Sequence, residues 1–157
     1  AAQNAFDNRV GELELQKEDQ LSTVALNYKT RQSEIEVNND LRIHQQEQIY
    51  NFQIDYLILN VSSVLQAASV INNPQLKNKF LLFVAVYIIQ ASQLVQNWNQ
   101  LAEAAIEEAY EKELEIIEVH RDAMIEKVEA AFHKAVKFAE EILEKALENC
   151  HNQGSGS

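Results

Sequence analysis

A chain of 157 residues suits one domain with room for a core, and 46% apolar with 24% charged residues is an ordinary globular balance. One proline and three glycines are too few for the turns of a sheet protein, so the expected fold class is all-α, built from long helices. The net charge of −11, carried mostly by residues 101–157, repels phosphate backbones and excludes nucleic acid as a partner. Cys150 is the single cysteine, so no intrachain disulfide forms and the compartment stays open.

The first helix is expected over residues 4–71. Its apolar positions recur every eleven residues. Val10, Leu21, Ile43, Ile54 and Leu65 form one series, interrupted by Gln32. Leu13, Val24, Ile35, Leu57 and Ala68 form a second, interrupted by Gln46. Phe6, Tyr28, Tyr50 and Val61 form a third, with Lys17, Asn39 and Asn72 as polar members. The series interleave into one stripe. Eleven residues in three turns is about 3.67 per turn, which predicts a straight or gently right-handed hendecad pairing. Leu15, Leu26, Val37, Leu59 and Val70 make a second stripe well round the helix, broken by Gln48. A helix apolar on two faces has neighbours on two sides, so a homo-oligomer is expected.

Asn38-Asn39-Asp40 is a rival break within this helix, because Asn and Asp are weak helix formers. The eleven-residue phase runs through it undisturbed, whereas a loop would reset it. A β-hairpin pairing residues 34–37 with 40–43 has the alternation, but its flanks read helical. Asn72-Asn73-Pro74 is the strong breaker: proline disfavours helix before it and suits a helix start. A turn at 72–74 gives a long antiparallel helical hairpin, each arm about 100 Å at about 1.5 Å per residue. The whole of 1–153 is read as a single helical domain. If Asn38–Asp40 and Gln96–Gln100 both open, the chain becomes a compact four-helix bundle instead.

Residues 56–76 and 80–102 contain no charged side chain. Phe80 to Ile89 is unbroken apolar sequence, the mark of a helix covered all round. The preferred reading is a buried interface, at the centre of a bundle or between copies, made by Phe80, Phe83, Val84, Tyr87, Ile88, Leu59 and Val70. The alternative is a membrane-active or tube-forming helix pair, of the pore-forming or ejection kind, inserting through residues 80–95. A spanning helix needs about 20 mostly apolar residues. Gln90, Ser92, Gln93 and Gln96 follow too soon, so a membrane is the less favoured partner.

The second helix is expected over 75–150. Ile106, Ile117, Val128, Ala139 and Cys150 repeat by eleven, as do Leu114, Ile125, Val136 and Leu147. Tyr110, Phe132 and Leu143 are a third series, interrupted by Arg121. A further face, rich in alanine, includes Ala102, Ala105, Ala109, Ile116, Ala131, Ala135, Phe138, Ile142 and Ala146. Glu108 with Lys112 and Glu141 with Lys145 are four apart and mark solvated faces.

The chain carries no phosphate-binding glycine loop, nucleophile elbow, Cys-x-x-Cys or His-Glu-x-x-His, and it reads as non-enzymatic. A di-metal carboxylate bundle needs two Glu-x-x-His pairs, and only Glu148 and His151 have that spacing. Glu129 and His133 share a face and could ligate a metal, although a surface ion pair accounts for them. His120 and Met124 border the alanine face, where a haem or another flat ligand would make this a ligand-binding bundle. A half-exposed seam histidine is the simpler reading, so no cofactor and no metal are expected.

Residues 101–149 resemble the idiom of designed helical proteins, as in Glu140-Glu141-Ile142-Leu143-Glu144-Lys145-Ala146-Leu147-Glu148-Asn149. Gly154-Ser155-Gly156-Ser157 looks like a linker appended for expression. The Gln-, Asn- and Ser-rich residues 1–100 depart from that idiom. A fainter resemblance is to the peripheral-stalk b subunit of ATP synthases, whose long helices also use eleven-residue, right-handed packing. It rests on Asn73-Pro74-Gln75-Leu76-Lys77-Asn78-Lys79-Phe80-Leu81 and fails beyond it, because a long helix follows here. Neither resemblance implies a site. The reading is a self-associating structural helical scaffold of designed origin.

Overall fold

A computed structural model describes residues 1–154, and two helices packed against each other make up nearly all of it. Helix α1 spans Ala2–Ser69 and helix α2 spans Pro74–Gly154. There is no strand among the described residues. Residues 155–157 of the expected linker lie outside them, while Gly154 closes α2.

The turn sits where the Asn-Asn-Pro signal places it, and its chemistry sets the helix ends. α1 stops two residues sooner than expected. The Ser69 hydroxyl donates to the Gln66 carbonyl at 2.6 Å, and the Ile71 amide donates to the Ala68 carbonyl at 3.1 Å. The second bond spans three residues, a tightening that closes a last turn. Asn73 then caps α2: its Oδ1 accepts the amides of Gln75 at 3.0 Å and Leu76 at 3.2 Å. Pro74 takes the first helical position, where no amide donor is needed.

Helix runs unbroken through 38–40 and 96–100. The loops required by the compact four-helix alternative are therefore not there, nor is the β-hairpin at 34–43. Low propensity loses here to packing, since a long helix draws its stability from the partner it lies on. Three hydroxyls within α1 are satisfied locally: Thr23, Thr30 and Ser63 donate to the carbonyls of Asp19, Leu26 and Leu59.

Contacts group the chain into two units: Ala1–Glu34 with the chain from Leu114 onward, and the middle hairpin Ile35–Glu113. In the first, Leu13, Ile117 and Ala139 are buried. The polar members of its stripes have a purpose that periodicity does not reveal. The Lys17 ammonium lies over the Phe132 ring, 4.6 Å from its centroid, and the Arg121 guanidinium lies 4.4 Å over Tyr28. Each cation interrupts its own series and covers an aromatic of the opposite helix, with its stem along the seam. The Tyr28 hydroxyl donates to Glu118 at 3.4 Å.

In the middle unit Leu57, Ala68 and Val84 are buried. Gln46 interrupts its series to donate to Asn99 Oδ1 at 3.0 Å, and Asn99 donates to Glu103 at 2.9 Å. Arg42 pairs with Glu113 at 2.7 Å across the seam. Among the described residues only six are buried, a thin core that leaves the outer faces of both helices uncovered.

Candidate functional site: an uncharged apolar hairpin

The middle unit holds the chemistry that stands out. From Asp55 to Glu103 the only charged side chains are Lys77 and Lys79, beside the turn. α2 contains a stretch long and apolar enough to cross a membrane, and 6% of it is buried inside the chain. A soluble core helix of that composition is mostly buried.

The structure divides the expected interface residues. Val84 is 4% exposed, and Phe80 and Ile88 are half-buried, so these three build the seam with α1. Phe83 at 69%, Val70 at 75%, Leu59 and Tyr87 are exposed instead. Leu82, Val86, Leu94, Trp98 and Leu101 join them on the outer side of α2. At the base of the hairpin, where charge resumes, Phe52 and Tyr56 stack with ring centroids 6.4 Å apart. Sequence reasoning passed over these aromatics. Their signal is positional: the only tryptophan and this aromatic pair stand at the two borders of the uncharged zone.

A second feature of this unit is a groove of about 440 Å³ lined by Asn39, Ile43, Gln46, Glu47, Glu103, Ile106, Glu107 and Tyr110. Asn39 Oδ1 and Arg42 Nη1 are buried nearby without a hydrogen-bond partner. Arg42 is held above the usual guanidinium value by its hydrogen bond to Glu113 and by that carboxylate's charge.

The other expected residues do not assemble into a site. His120 is exposed and Met124 half-buried. Glu129 and His133 are both exposed, and His133 sets its ring edge to Phe132 at 5.7 Å between centroids. Among the described residues no group of three or more His, Cys, Asp or Glu side chains comes together to hold a metal ion. Elsewhere, Glu108 is held below the usual carboxylate range by its hydrogen bond and attraction to Lys112. Arg121 is raised first by its hydrogen bond to Asp122.

No protein-family model, no curated protein and no solved structure matches the chain.

Proposed function

We propose that the chain is a non-enzymatic helical scaffold that self-associates through the outer stripes of its helices. One observation carries this reading. Leu15, Leu26 and Val37, spaced by eleven, are exposed at 69%, 64% and 67%. They lie about 200° round α1 from the seam residues, at about 100° per residue. Ile116, Phe138 and Ile142 are exposed on α2 in the same way. Scattered surface leucines need no explanation, but a periodic apolar stripe opposite a seam is the pattern of a helix with a second neighbour.

The hendecad form of the packing is part of the proposal. Its support is that Phe6, Lys17, Tyr28, Asn39, Tyr50 and Val61 are all half-buried, and Leu13, Val24, Ile35, Gln46, Leu57 and Ala68 are all half-buried or buried. In these two series withdrawal from solvent follows the eleven-residue phase even where the residue is polar, while Ile43 and Leu65 of the Val10 series are exposed.

The test is size-exclusion chromatography with in-line light scattering in buffer free of detergent. A scaffold of this kind elutes at a multiple of 17.9 kDa. The Leu15→Glu/Leu26→Glu variant drops to a lower mass with its helical circular dichroism intact. A fully helical parent chain of 17.9 kDa at micromolar concentration overturns the reading.

A further inference from the structure

We propose that the end of the middle hairpin, from Tyr56 round the turn to Trp98, inserts into a lipid bilayer. The segment shares Leu59 and Val70 with the outer stripe of α1, so the two proposals are told apart by variants at Leu15 and Leu26 on one side and at Leu82 and Val86 on the other.

Four observations point to lipid rather than to a second copy as the occupant. First, this stretch has no charged side chain except Lys77 and Lys79 at the turn, and charge is what a bilayer interior rejects most strongly. Second, the exposed apolar surface of α2 is broad. Leu82, Val86, Phe83, Leu94, Tyr87 and Trp98 are all exposed, and at about 100° per residue they cover about half the circumference, an arc that from residue 90 onward also holds exposed Gln90, Gln93 and Asn97. A partner helix needs a stripe of about 100°, whereas hydrocarbon covers whatever faces outward. Third, the length fits. From Lys79 to Trp98 the helix rises about 30 Å at about 1.5 Å per residue, the thickness of a hydrocarbon core, of which the unbroken apolar run Phe80 to Ile89 covers about half; Gln90, Gln93, Gln96 and Asn97 are exposed on the half nearer Trp98.

Fourth, both ends carry the groups that suit a membrane border. The Phe52–Tyr56 stack and Trp98 stand where charge resumes, as in an aromatic belt. Lys77 and Lys79 stand at the opposite end, with stems long enough to reach phosphate. The α1 arm is more polar, with Ser62, Ser63 and Gln66 exposed, so α2 supplies the main lipid-facing surface. The Ser63 hydroxyl is already satisfied by the Leu59 carbonyl at 3.0 Å, which lowers its cost in hydrocarbon.

Trp98 is the only tryptophan and serves as the reporter. The full chain is mixed with phosphatidylcholine vesicles carrying bromine either near the headgroup or deep in the acyl chain. Flotation and tryptophan emission are followed together. The expected result is co-flotation, with a blue shift of Trp98 emission and stronger quenching by the shallow bromines. An Ile89→Trp reporter, in a Trp98→Phe background, is quenched more by the deep bromines. Leu82→Glu/Val86→Glu lowers the bound fraction by about tenfold or more with helicity unchanged, while Leu15→Glu leaves it as it was. Two results overturn the proposal. One is a helical protein that stays in the aqueous fraction with Trp98 emission unmoved, which rules out lipid as the occupant of this surface. The other is equal, shallow quenching at both reporter positions, which means the helix lies flat on the surface.

Discussion

Leu13 and Leu15 are two residues apart on opposite sides of α1, which makes them a matched pair for separating the two faces. Leu13 is 7% exposed in the seam, and Leu15 is 69% exposed. Leu13→Ala removes buried methyl groups and leaves a cavity, a change that costs about 2–5 kcal/mol in protein cores. The seam is only two helices thick and can partly close, so the lower part of that range, about 2–3 kcal/mol, is expected. In a lone hairpin Leu15→Ala costs nothing, because little apolar area is lost and alanine is the better helix former. In the assembled scaffold Leu15 is covered, and the same change costs about 1.5–2.5 kcal/mol per chain. The assay is urea unfolding followed by circular dichroism at two protein concentrations, one below and one above the assembly midpoint seen by light scattering. Leu13→Ala lowers the midpoint at both, and Leu15→Ala lowers it at the higher one alone. The reasoning is refuted if Leu15→Ala is silent where the protein is assembled, or if Leu13→Ala costs under about 1 kcal/mol.

Three further outcomes are expected. Asn39→Leu raises stability by about 1 kcal/mol in thermal melts, because it replaces a buried acceptor without a partner by an apolar group on the seam. Asn73→Ala lowers it by about 1 kcal/mol through loss of the cap on α2, with the change in amide exchange confined to the first turn. The Glu108 carboxyl is held low in the folded chain, so its contribution is present above the unfolded carboxylate value and is lost as pH falls through the folded one. Glu108→Gln therefore melts below the parent at neutral pH, and the gap closes in acid. Added salt also narrows it, as the pair with Lys112 is exposed.

The turn and the outward stripe of α1 were legible because each has a local cause: a proline after two asparagines, and apolar residues at steps of eleven from Leu15 to Val70 with Gln48 the exception. The polar interruptions were not. Lys17, Arg121 and Gln46 look like faults in a periodic pattern until the register with the other helix puts Phe132, Tyr28 and Asn99 opposite them. Register is a property of two segments, and a pattern within either one does not contain it. The same limit applied from Phe80 to Ile89. An unbroken apolar run has no phase, so nothing local separates seam-facing Val84 from outward Phe83. Asn97 and Asn99 suggested a loop on propensity, but Asn99 is spent on bonds to Gln46 and Glu103. Tyr56 and Trp98 were visible as residues, but the exposure of the uncharged zone they flank was not.

A chain with one turn also has an order of birth. α1 is complete before any part of α2 exists, and synthesis proceeds from its N-terminus. Val64 and Ala68 meet their partners almost at once, whereas Phe6 shares a groove with Ala139 and Leu143. At about 5–20 residues per second, Phe6 waits on the order of 10 s for the segment that covers it. During that interval the leucines of α1 are available to chaperones and to neighbouring nascent copies, so the residues of α1 farthest from the turn are the last to be sheltered.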